Sequence, residues 1–496
     1  MPHMPIADIG TRLAAEEFND AELRQYHLFS QTDELVIRRL MVAGPVLLRG
    51  PRGSGKSAYM LEAHMKIKKE EATIFSAYIS LRHFPLLTAT AEEYLKILVP
   101  YVAELIRKEI RERGIEIPGL IASVTTIAEL KNELDALGTS LQRRIVLMFD
   151  DVAHIGRETS LSSFFDFFRT ISSSVVSCKA AIYPGVTKFG ARFDFYSDAT
   201  IVEAQRDERS PDFANFFNRL LEAQHPDLIE KCEARLSSSL GLLLGRSVLG
   251  NVRAFNALCL HLGSYPVISV QFVGEGLKWL ASSYLYPALD ELQTKLGAYA
   301  PMLKIAEQIA PIIFGDSGKR KINSIVVHKD HIQRIGKVFE ILEYSGFIAK
   351  REASRSLIKT ASGRGPRYAL SLGPLFESIP GSTLSYDLIN SLIQVTVLND
   401  DLIEYSPSSV LQTFNSPEPH NEIPLDILSL PISRLEVSQA IPYGLTALMI
   451  NALTTGGMLT VQDVVKLSLE ELQELPSIGV SKARRIRNAA EQAIWM

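Results

Sequence analysis

The run Gly50-Pro51-Arg52-Gly53-Ser54-Gly55-Lys56-Ser57 satisfies the pattern GxxxxGK[ST]. It constrains the fold more than any other stretch, because it works only between a buried strand and the first turn of a helix. Small residues at Gly50, Gly53, Ser54 and Gly55, with Arg52 among them, let backbone N–H groups wrap phosphate oxygens. The helix that opens near Ser57 presents its positive end to them. Lys56 can reach the β- and γ-phosphates, and the Ser57 hydroxyl can ligate Mg²⁺. The flanks comply: Pro45 to Arg49 (PVLLR) reads as a short apolar strand, and Ser57 to about Glu70 as a helix. The run therefore predicts a site for a nucleoside triphosphate, read as ATP, with Mg²⁺.

Further strands follow at Ile74 to Leu81, Ile145 to Phe149 and Ala180 to Tyr183, with helical stretches at about 91–140 and around Phe164 to Phe168. Short apolar strands alternating with helices predict a parallel α/β sheet. The third strand ends in Asp150-Asp151. Asp150 stands where a carboxylate holds the Mg²⁺ shell. Asp151 can orient or deprotonate the attacking water, or it can cap the helix that follows. The pattern is helical over 208–283, and helical with two strand-like runs over 286–378. Residues 405–425 are rich in Ser, Pro and Asn, which reads as a linker. The expected division is a core with an N-terminal helical segment (1–207), a helical lid (208–285), a third domain (286–378), a linker (379–430) and a C-terminal helical domain (431–496).

The order of these motifs, followed by Gly250-Asn251-Val252-Arg253-Ala254-Phe255, resembles AAA+ ATPases of the origin-recognition (initiator) clade. The resemblance covers about 30–378 and implies an α/β P-loop NTPase core with a helical lid and a winged-helix domain. It implies that Arg253 is the lid arginine pointing at the γ-phosphate. It also implies that Arg192, within Phe189-Gly190-Ala191-Arg192-Phe193, is a finger acting across a subunit interface in an oligomer, and it offers Thr187 as a polar sensor. In the winged-helix region, Val327 to Tyr344 is amphipathic. A hairpin between strands at Phe347–Lys350 and Arg367–Leu372 carries Arg351, Arg355, Lys359, Arg364 and Arg367. Of these, Arg355 and Arg364 are the expected DNA contacts.

The end of the chain, Leu475-Pro476-Ser477-Ile478-Gly479-Val480-Ser481-Lys482-Ala483, resembles a helix-hairpin-helix element. With Ala447 to Glu471 it is similar to the C-terminal domain of the RNA polymerase alpha subunit. That resemblance implies duplex DNA held by its phosphates at Gly479, Ser481, Lys482, Arg484 and Arg485. A second reading remains open. Val146 to Val152 (VLMFDDV) also resembles the paired-aspartate strand of STAND signalling switches, which would act through a protein effector.

Composition narrows the setting. The formal net charge is −4 over 496 residues, so nucleic-acid contact must come from local patches. Three scattered cysteines, Cys178, Cys232 and Cys259, argue against a disulfide framework or a CxxC metal site. No basic-then-apolar leader opens the chain, and no apolar run is long enough for a bilayer. The expectation is a cytoplasmic protein with no membrane contact.

Overall fold

The computed structural model describes residues 27–81, 91–115, 124–152, 158–185, 189, 193–194, 196–294, 296, 299–358, 363–381, 383–393, 402–416, 430–437 and 444–495. The core opens with α1 (Gln31–Met41), whose N-cap Ser30 and Asp33 exchange hydrogen bonds in a capping box. There follow β1 (Val46–Arg49), α2 (Lys56–Glu70), β2 (Ile74–Ser80), α3 (Ala91–Glu112), α4 (Ile127–Leu141), β3 (Arg144–Asp150), α5 (Glu158–Ile171), β4 (Val176–Ile182) and β5 (Thr200–Glu203). The strands form one parallel sheet in the order β2-β3-β4-β1-β5. Its side chains alternate between two cores, as the two-residue repeat of a strand requires. In β3, Ile145, Leu147 and Phe149 pack with the phenylalanines of α5, while Val146 and Met148 join α2 residues such as Tyr59 and Met60 on the other face.

The fourth strand starts at Val176, earlier than the expected Ala180, and Tyr183 lies just beyond its end. The helical stretch expected over about 91–140 holds α3 and α4 among the described residues.

Beyond the sheet come α6 (Phe213–Gln224), α7 (Pro226–Glu230), α8 (Ala234–Ser247), α9 (Val252–Gly263) and α10 (Val270–Trp279). A π-turn at Leu280–Leu285 leads into α11 (Tyr286–Asp290) and α12 (Ala300–Arg320). Then follow β6 (Ser324–Val327), α13 (Lys329–Tyr344), β7 (Ile348–Ser356), β8 (Arg364–Leu370), α14 (Leu372–Glu377), α15 (Tyr386–Ile393) and β9 (Ile403–Tyr405). The four strands make a second sheet, β7-β8-β6-β9, in which β9 pairs parallel with β6.

Two expectations change here. Residues 379–430 are not simply a linker, because they supply α15 and β9. The segment to Ser416 is also tied down: His331 bonds the Ser406 carbonyl at 2.7 Å, Arg334 the Gln412 carbonyl at 2.9 Å, and Ser416 the Arg334 carbonyl at 2.6 Å. And β7 and β8 extend well past the expected runs, so Arg351, Arg355, Arg364 and Arg367 sit on paired strands and not on the hairpin's loop.

Lid and third domain are not separate cores. One continuous buried cluster runs from Phe213 through Phe255 and Leu277 to Phe339, Leu375 and Leu411. A distinct small core holds the last part together, with α16 (Ala447–Thr455), α17 (Val461–Val465), α18 (Leu469–Glu474) and α19 (Val480–Trp495) around Leu453, Leu472, Ile478, Ala483 and Ile486. Among the described residues no helix is long and apolar enough to cross a membrane.

Candidate nucleotide site

The phosphate loop leaves the carboxyl end of β1, between neighbours β4 and β5, where open α/β sheets place their ligands. Gly53 has φ +84°, and a Cβ there would stand 2.6 Å from Asn251 Oδ1, so the loop needs a glycine twice over. Gly55 precedes the first turn of α2, which begins at Lys56. Ser54 Oγ is buried with no hydrogen-bond partner among the described residues, an orphaned donor on a loop built to meet oxygen atoms.

Lys56 is buried and turned onto its own loop. Its Nζ donates to the carbonyls of Gly50 (2.8 Å) and Pro51 (3.0 Å) and lies 3.8 Å from the centre of the Tyr183 ring. Burial pushes its pKa down to about 7, and Arg253 and Arg52 push the same way, against Asp151 and Asp150. Asp150 is 1% exposed. It accepts from the Tyr78 hydroxyl (2.6 Å) and from the Asp151 N–H (2.9 Å). Asp151 has φ +52°, a left-handed backbone that costs a non-glycine residue about 1 kcal/mol or more. Its carboxylate accepts from the Tyr183 hydroxyl at 3.0 Å. Strain held at a residue that faces the loop's lysine marks a constrained site.

The lid meets the loop directly. Asn251 caps α9 by accepting from the Ala254 N–H at 3.1 Å, and its amide donates to the Arg52 carbonyl at 2.7 Å. This cap seats Arg253 beside Gly53, with the Arg253 Cβ 2.8 Å from where a Gly53 Cβ would be. Burial, then Arg52, lower the Arg253 pKa against Tyr284, Tyr183 and Asp151. For Arg52, burial opposes the charge, but Tyr344, Tyr183, Asp151 and Glu291 outweigh it and hold its pKa up. Three cations, Arg52, Lys56 and Arg253, thus converge where a polyanion would relieve their repulsion. Helix end, glycine loop, orphaned hydroxyl and cations all fit a triphosphate. The Ser57 hydroxyl in the first turn of α2 and the Asp150 carboxylate at the end of β3 are the side chains that would hold Mg²⁺.

Several residues that surround the loop have no signature in the sequence. Tyr183 stands between Lys56 and Asp151, and its ring packs on Tyr344 with centroids 5.4 Å apart. Arg49, the last residue of β1, ion-pairs with Glu203 at 3.2 Å and with Glu343 at 2.7 Å. A tyrosine after a strand and a glutamate at a helix end carry no local pattern, and only the tertiary fold brings them to the loop.

Arg192 and Thr187 lie outside the described residues. Phe189 and Phe193, which flank Arg192, pack on Phe165 at 4.7 and 5.1 Å between ring centroids. Among the expected DNA contacts, Arg355 pairs with Glu352 at 3.2 Å. Exposed Arg364 lies along its hairpin, bonded to Ser354 and Ser356. In the C-terminal module Lys482 donates to the Ser477 carbonyl at 2.8 Å, Arg485 to that of Gly444 at 3.0 Å, and Arg484 is exposed. Ser481 lies in the first turn of α19. The left-handed residue of this turn is Ser477 (φ +69°). Gly479 instead leaves open space, with nothing within 4 Å of a Cβ built on it.

No family model and no curated protein matches the chain. Among solved structures it is similar to the Aeropyrum pernix ORC1 protein in complex with DNA, at 14% identity and a TM-score of 0.32, covering 71% of this chain and 92% of that one. It is also similar to Drosophila ORC bound to GC-rich DNA and Cdc6 (11%, TM-score 0.30, 60% of this chain, 46% of that). A third is an E. coli MS115-1 HORMA:CdnC:Trip13 complex (13%, TM-score 0.28, 55% of this chain, 90% of that).

Proposed function

We propose that this chain is an AAA+ ATPase of the initiator-like clade that binds ATP with Mg²⁺, hydrolyses it, and couples the cycle to duplex DNA. The observation that carries this reading is the seating of the lid segment Asn251–Arg253 on the glycine loop, with Asp150 and Asp151 at the end of the strand beyond β4. Mg²⁺, held by Ser57 and Asp150, would supply charge neutralisation to the phosphates. The chain supplies the rest. Loop N–H groups and Lys56 hold the phosphates, and Arg253 reports the γ-phosphate to the lid. Asp151, aligned by Tyr183, takes the proton of the attacking water. Arg192 acts in trans if copies assemble. The 286–416 unit is read as a winged helix, and 430–495 as a helix-hairpin-helix module that grips phosphates through the N–H groups opening α19, with Lys482, Arg484 and Arg485 beside them.

ATPase turnover measured with and without duplex DNA tests the reading. DNA stimulates the wild type, Lys56→Ala abolishes turnover, and a salt-sensitive gel shift disappears on deletion of 431–496. Wild-type protein that neither turns over ATP nor binds DNA at low salt sinks it. One observation favours the signalling-switch alternative: the basic strands meet acidic partners within the chain, as Arg355 and Arg367 both do at Glu352. A nucleotide-held switch acting on a protein effector would show tight retention and negligible turnover.

A further inference from the structure

The turn that delivers Asn251 and Arg253 to the phosphate loop is held in shape from the third domain. Between α8 and α9 the chain reverses through two consecutive left-handed residues, Leu249 (φ +56°) and Gly250 (φ +81°). Gly250 is dictated by space as well as by backbone, since a Cβ there would stand 2.7 Å from the Arg206 carbonyl oxygen. Leu249 has no such excuse. A left-handed leucine is strained, and it persists only where its surroundings over-determine it. Those surroundings are the strands of the hairpin. The Leu249 side chain forms a small buried cluster with Ala349 of β7 and Ala369 of β8. Its carbonyl accepts from the Arg351 guanidinium at 3.3 Å.

Arg351 lies on β7 with its side chain 2% exposed. The same guanidinium ion-pairs with Glu208 at 2.6 Å and donates to Gln205 Oε1 at 3.2 Å. It therefore ties the chain leading from β5 into the lid to the Leu249–Gly250 turn. A buried arginine whose charge is met inside the molecule is not available to a phosphate backbone, so its place among the basic residues of the hairpin has another cause. Beyond Gly250 the path to the site is short. Asn251 follows directly, and with its amide on the Arg52 carbonyl it places Arg253 beside Gly53. A side chain that must meet one phosphate oxygen tolerates little error: about 1 Å of misplacement can cost on the order of a hundredfold in rate.

We infer that Arg351 is a positioning residue for γ-phosphate recognition: from β7 it fixes the Leu249–Gly250 turn, and through that turn it sets where Arg253 stands beside the phosphate loop. This rests on the reading of the loop as a nucleotide site and of Arg253 as the arginine that faces the γ-phosphate. The test compares ATPγS with ADP, each with Mg²⁺, by calorimetry on the full chain, with thermal melts to show that each variant is folded. A residue that acts through Arg253 changes affinity only for the ligand that carries a γ-phosphate. Arg351→Gln is expected to weaken ATPγS about tenfold, the lower end of what a hydrogen bond to a charged group is worth, while ADP stays within about twofold. Arg253→Ala shows the same selective loss, and Arg351→Gln adds nothing to it in the double variant. Leu249→Gly keeps the left-handed backbone and removes the anchoring side chain. It is expected to show the same pattern, and it carries the test if Arg351→Gln does not fold. The positioning role is refuted, and the nucleotide site stands, if ATPγS and ADP weaken alike, if neither weakens, or if the two losses multiply in the double variant. Wild type that binds neither ligand, or Arg253→Ala that binds ATPγS as the wild type does, overturns the underlying reading and the positioning role with it.

Discussion

At the scale of single residues the site turns on the charge of Lys56. Burial first, and its cationic neighbours second, bring its pKa down to about 7 from the ordinary 10.5. Between those values the unfolded chain holds a proton that the folded loop has partly lost, so this group's contribution to stability rises with pH across that window. A bound polyanion favours the charged form and returns the pKa upward. Nucleotide binding is thus expected to take up close to one proton per site at pH 8 and to weaken as pH rises above about 7. Calorimetry in buffers of different ionisation enthalpy checks it, and no dependence of the heat on the buffer would contradict it. The loop's path was legible in the sequence because GxxxxGK[ST] calls for a strand, a glycine turn and a helix start in that order. Tyr183, Glu343 and Tyr344 were not legible, since each acts through a partner more than 30 residues away or in another body of the fold.

At the scale of elements, the strap from Leu402 to Ser416 shows what composition hides. Its Ser- and Pro-rich sequence suggested a linker, but Leu411 is buried, the β9 pairing holds it to β6, and His331 and Arg334 bond it to α13. Its clasp is His331. Arg334 can only donate, so His331 Nδ1 accepts from it at 2.8 Å and Nε2 carries the proton given to the Ser406 carbonyl. The neutral ring is required, and burial, with Arg334, lowers its pKa below the ordinary 6.5. A depressed histidine contributes fully above the pKa of the released state and loses that contribution as pH falls through about 6.5. Amide exchange within 402–414 is therefore expected to accelerate between pH 7 and pH 5.5, beyond the intrinsic effect of pH, in the wild type and not in His331→Gln. Strand and helix identities in the core were legible from their periodicity. The lengths of β7 and β8 were not, because Lys, Arg, Glu and Ser on their outer faces read as loop.

At the scale of the whole molecule, three main apolar assemblies divide the described residues: the sheet's two faces, the core shared by lid and third domain, and the small C-terminal core. The last shares no buried cluster with the others among the described residues. A fragment of residues 430–496 is expected to fold alone as a helical unit, seen by circular dichroism with a cooperative melt. Chain lacking it should keep the melting temperature of the remainder. Ile486→Ala, at a fully buried position, would cost that fragment about 2–5 kcal/mol. The lid and the third domain had separate sequence signatures and so read as two domains. Their fusion is a property of which apolar faces meet, and a single chain's pattern does not state which faces those are.

The β7–β8 hairpin is rooted on the segment that joins the sheet to the lid. Arg351 meets Glu208 at 2.6 Å and Arg209 meets Glu352 at 2.7 Å, and Glu352 also holds Arg367 at 3.1 Å from the neighbouring strand. A pull on the hairpin is therefore felt first by the chain between Glu203 and Phe213. Whatever grips those strands works on the junction, and through it on the lid that leans on the glycine loop.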